Sequence, residues 1–67
     1  MIVAHFVVNG EERETREVPE DWLQRAWATR ENVLLTDGNT YNIKDVHYTA
    51  DEHAMVYVVA PQFARGG

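Results

Sequence analysis

Three histidines, His5, His47 and His53, are the residues of this chain best suited to bind a transition metal, and Asp51-Glu52-His53 would bring two ligands to one turn. A transition-metal site needs three or four convergent groups. No HExxH or comparable spacing supplies them, so His5 reads as a strand residue facing Glu14 and His53 as a loop residue. For nucleophilic catalysis the chain offers Thr15, Thr29, Thr36, Thr40 and Thr49, since it has neither serine nor cysteine. None sits in a strained, glycine-flanked elbow. Carboxylates are abundant, but on a polar stretch rather than in an apolar pocket that would push their proton affinities apart. The glycines at 10, 38, 66 and 67 form no phosphate-cradling loop. The sequence therefore assigns no catalytic, cofactor-binding or metal-ligating residue, and the expectation is a protein that is not an enzyme.

What does cluster is negative charge. The chain has eleven carboxylates against six Lys and Arg, a formal charge of −5. Six of those carboxylates, Glu11, Glu12, Glu14, Glu17, Glu20 and Asp21, fall between positions 11 and 21, where only Arg13 and Arg16 oppose them. An acidic domain is penalised as a binder of nucleic acid or of an anionic membrane. The same field steers encounter with a basic protein surface. Trp22 and Arg25 follow directly, and a tryptophan beside carboxylates and an arginine has the composition of an interface anchor. The candidate partner-binding set is thus Glu11, Glu12, Glu14, Glu17, Glu20, Asp21, Trp22 and Arg25. The plain alternative is a solvated strand edge kept soluble by its charge.

Sixty-seven residues, 45% of them hydrophobic and 25% charged, suffice for one small domain. The reading places it at 1–61, with 62–67, ending Arg65-Gly66-Gly67, as a flexible C-terminal tail. Without cysteine no disulfide staples it. A chain of this size buries only about 60% of its unfolded surface, so tight packing or self-association must compensate. The N-terminal run Met1 to Val8 lacks a basic leader region, and no segment approaches the roughly 18 apolar residues of a membrane span. By default the protein is expected in the cytoplasm.

The elements that position these residues follow from periodicity. Residues 2–8 are apolar on both strand faces and should lie centrally or under a helix. Asn9-Gly10 signals a type I′ hairpin, placing Val8 opposite Glu11 and His5 opposite Glu14, with Glu11 to Val18 as a charged edge strand. Pro19-Glu20-Asp21 opens a helix running to about Arg30, with Leu23, Ala26 and Trp27 as its core stripe and Trp22 at the rim. Val33 and Leu35, a loop over 36–40, and a strand over 41–48 come next. Burial favours an odd-length loop that pairs Leu35 with Tyr41 and Val33 with Ile43. The apolar parity switches between Ile43 and Val46, so a β-bulge or bend is expected near Lys44-Asp45. Ala50 to His53 reads as a turn, and Met55 to Val59 as a last strand stopped by Pro61.

The expected architecture is an α+β domain of order β-β-α-β-β-β, a small bent five-stranded antiparallel sheet or partly open barrel with one helix. It resembles SH3-type small barrels in layout alone, which implies nothing about activity. The expected function is a non-catalytic protein-interaction module, a small regulator or inhibitor binding a basic surface of a larger protein through its acidic edge. The alternative is a structural subunit acting as a homo-oligomer, a homodimer in its simplest form. A third reading, stacking of single-stranded nucleic acid on Trp22 and the tyrosines, needs a basic groove that the charge balance does not supply.

Overall fold

The computed structural model describes residues 1–49 and 52–60. Five strands and one helix follow in the order β1 (Ile2–Val8), β2 (Glu11–Val18), α1 (Glu20–Thr29), β3 (Asn32–Leu34), β4 (Thr40–Thr49) and β5 (His53–Val59). They build one small α+β half-barrel, a single sheet in the order β2-β1-β5-β4-β3. The expected tail over 62–67, and Ala50 and Asp51 of the expected turn, lie outside the described residues.

The sheet is mixed rather than wholly antiparallel, because β1 and β5 pair in parallel while every other pair is antiparallel. A local reading of hairpins misses this. The chain leaves the β1–β2 hairpin through α1, and only after β3 and β4 does β5 arrive beside β1, a long crossover of the kind parallel pairing requires. Two strands that are apolar on both faces thereby occupy the middle of the sheet.

One face carries the core. Ile2, Ala4, Phe6 and Val8 of β1, Ile43 and Val46 of β4, and Ala54, Val56 and Val58 of β5 are buried together with Leu23 and Ala26 of α1. Trp22 and Trp27 pack at its border. Pro19, with an extended backbone, caps the start of α1, and its carbonyl accepts from the Leu23 N–H at 3.1 Å. Arg30 ends the helix in the left-handed conformation, φ 55°, and its N–H bonds back to Trp27 O. Glu20 and Asp21 occupy the first turn, complementing the dipole. Among the described residues no helix is long and apolar enough to cross a membrane.

Registers depart from expectation in two places. Asn9 and Gly10 have φ of 52° and 80° and set Val8 opposite Glu11, as a two-residue hairpin requires. A bulge then inserts Arg13, so His5 faces Thr15 and it is Phe6 that faces Glu14. In the β3–β4 hairpin the loop has odd length, but Val33 pairs with Tyr41, two residues tighter than expected. The tighter loop lets Leu35 N–H reach Asn39 O at 3.0 Å, with Gly38 at φ 87° completing the turn. The predicted irregularity in β4 is present: pairing with β5 slips between Ile43 and Asp45, which returns Val46 to the core face.

Candidate functional site

The bulge at Arg13 decides where each carboxylate of β2 points. Residues opposite one another in a sheet share a face, so Glu14 and Arg16, opposite Phe6 and Ala4, lie on the inner face, while Glu12 and Glu17, opposite Val7 and Val3, lie on the outer face. The acidic segment thus divides between two surfaces.

On the inner face Glu14 and Arg16 tie the two edges of the half-barrel together. Glu14 Oε1 accepts from the Thr36 N–H at 2.8 Å and the Thr36 hydroxyl at 3.0 Å, while its Oε2 accepts from Arg16 Nε at 2.6 Å. Arg16 Nη2 donates to the Leu34 carbonyl at 3.1 Å, and its guanidinium lies 5.3 Å from the Phe6 ring centroid. Burial pushes the Glu14 carboxyl up, but the Thr36 N–H, the Arg16 guanidinium and the Thr36 hydroxyl together outweigh it and hold it below the ordinary glutamate range. The Glu14 side chain retains only 9% of its exposure. It is a structural strap between the two edges of the sheet.

On the outer face a chain of hydrogen bonds runs across three strands. The Thr15 hydroxyl donates to Glu12 Oε2 at 2.7 Å, and His5 Nδ1 lies 2.9 Å from the same oxygen. A carboxylate only accepts, so His5 Nδ1 carries hydrogen. His5 Nε2 and His53 Nδ1 share a hydrogen across 2.8 Å, with the donor set by the tautomers of the two rings. The bonds from His5 and Thr15 hold the Glu12 carboxyl below its usual range. Sequence reasoning missed this cluster, because it depends on the parallel register that brings β5 beside β1 and makes His53 a strand residue rather than a loop residue. Among the described residues no three His, Asp or Glu side chains are grouped so as to hold a metal.

The remaining members separate further. Glu11, beside the hairpin turn, has Arg13 as its partner at 3.4 Å. Glu20 borders a different depression, shared with Met1, Ile2 and Tyr48; burial and the Glu20 charge raise the Tyr48 phenol above its ordinary value. Glu17, Asp21, Trp22 and Arg25 are brought together. With Arg16, Val18 and Pro19 they line an open groove of about 460 Å³ at the corner where β2 passes into α1. Trp22 is half-buried there, packed on the core from below. Asp21 and Arg25 pair across one helical turn at 3.3 Å, both largely exposed, a contact that contributes little and exchanges readily. Among the described residues no ion pair engages Glu17. The groove therefore combines an anchored indole, a proline and valine floor, and carboxylates available to an incoming cation. Comparison of the chain with family models, characterised proteins and solved structures returns no match.

Proposed function

We propose that this protein is a non-catalytic interaction module, a small regulator or inhibitor that engages a basic surface of a larger protein at the β2–α1 corner. One observation carries the reading: a half-buried Trp22 lies in the same open groove as the carboxylates of Glu17 and Asp21. An aromatic side chain held by the core on one side and open on the other loses little entropy on binding, which is why such residues dominate interface energetics. A Lys or Arg of the partner would meet Glu17 and exchange with Arg25 for Asp21, while an apolar neighbour would cover the Trp22 ring.

The test is affinity capture from the native cell with the full chain, followed by the same capture with Glu17→Lys/Asp21→Lys and with Trp22→Ala. Loss of the captured basic protein in both variants supports the reading; unchanged capture by either one counts against it. Glu14 is left alone in these variants, because its substitution would loosen the half-barrel and confuse folding with binding.

A further inference from the structure

The outer face of the sheet offers a second surface, which meets the groove only at Glu17. Met55, Tyr57 and Val59 of β5 stand on it, Tyr57 beside Val7 of β1, with Tyr57 37% and Val59 39% exposed although they belong to a central strand; the paired His5 and His53 separate them from Val3. The helix and the core cluster are on the other face. No strand can be added here, because β1 and β5 are each flanked by neighbours on both sides; a partner can touch only side chains. The apolar strip follows β5 from Met55 to Val59 for about 13 Å, with Val7 of β1 beside it, and a helix of about 14 residues spans it with a turn to spare for flanking charges.

Charge selects the kind of helix. Along the β2 side the strip is bordered by Glu12 and Glu17, with no cation directly opposite β1 on that face. Along the β4 side Asp45 and His47 lie 3.4 Å apart, and Lys44 is exposed at the bulge beside them. One flank is therefore acidic and the other mixed. We propose that the outer sheet face docks an amphipathic helix of a protein partner, its apolar stripe over Met55 and Tyr57 and a row of Lys or Arg along one side facing Glu12 and Glu17. A second copy of this chain would bring acidic flanks into contact with one another, which disfavours it as the occupant.

The probe is a designed helical peptide of about 14 residues, with leucines on one stripe and lysines along one flank, titrated into the isotope-labelled full chain and followed by amide chemical shifts. The expected result is shifts concentrated at Val7, Met55, Tyr57, Val59 and their neighbours. Tyr57→Asp and Val59→Asp should each weaken binding by about tenfold or more, and Trp22→Ala should leave it within about twofold. Folding of each variant is checked by circular dichroism. A peptide with glutamate in place of lysine should not bind. The proposal is overturned if shifts centre on the Trp22 groove, if the glutamate peptide binds equally, or if folded Tyr57→Asp and Val59→Asp bind as the parent does. A dimer seen by sedimentation that Tyr57→Asp and Val59→Asp dissociate also overturns it. Because the groove variant is a control here, failure of this proposal and failure of the groove reading are distinguishable.

Discussion

Glu14 shows how one side chain can belong by type to a recognition surface and by geometry to the framework. Its carboxylate joins β2 to the loop after β3 through Thr36 and Arg16. Its proton affinity in the folded state is held below the ordinary value, so the unfolded chain binds the proton more tightly. Stability gained from the carboxylate is therefore present at neutral pH and lost as pH falls through the folded-state value. Glu14→Gln should lower stability at pH 7 by about 1–3 kcal/mol, and the gap to the parent should narrow below about pH 4. Urea titrations of both proteins across that range would show it, and a gap independent of pH would refute the charge-based account. Glu17→Lys, by contrast, should leave stability within about 0.5 kcal/mol, as an exposed residue without an ion pair among the described residues.

At the scale of elements, the two hairpins depend on glycines with positive φ. At Gly38, φ 87°, no atom lies within 4 Å of where a Cβ would stand, so Gly38→Ala meets backbone strain rather than collision. The cost should be about 1 kcal/mol, read as a fall of about 4–8 °C in Tm. Asp37 holds the same turn by accepting from Asn39 N–H at 2.9 Å and from the Tyr41 hydroxyl at 2.7 Å. Those bonds keep the Asp37 carboxyl low and the Tyr41 phenol high. Helix α1 is too short to persist alone and depends on Leu23 and Ala26 against the sheet. Leu23→Ala should cost about 2–5 kcal/mol, enough to unfold much of a domain this small; a cooperative thermal transition unchanged from the parent would contradict that packing.

For the molecule as a whole, a charge of −5 on 67 residues sets the reach of recognition. Association with a basic partner should slow as ionic strength rises from about 0.01 to 0.15 M, where the screening length contracts from about 30 to 8 Å, while dissociation changes less. Stopped-flow mixing with the captured partner would separate the two rates. An on-rate indifferent to salt would remove electrostatic steering from the mechanism.

Local chemistry was enough to reveal the element order, the Asn9-Gly10 turn, the helix opened by Pro19 and the irregularity near Lys44-Asp45, because each follows from a residue's own conformational preference or from a break in periodicity. The parallel β1–β5 pairing was not legible, since nothing in either strand records which non-neighbouring strand will lie beside it. The bulge at Arg13 was hidden for the same reason: β2 is polar on both faces, so no hydrophobic alternation fixes its register. Glu14 and Arg16 have the parity of Val18, and once the bulge is known that parity places them inward. Clustering in sequence grouped Glu17, Asp21, Trp22 and Arg25, which span a strand end and a helix start and so remain neighbours in space. It misplaced Glu14 and passed over the His5–His53 contact, because strand alternation sends consecutive carboxylates to opposite faces, and only tertiary pairing joins residues 48 positions apart.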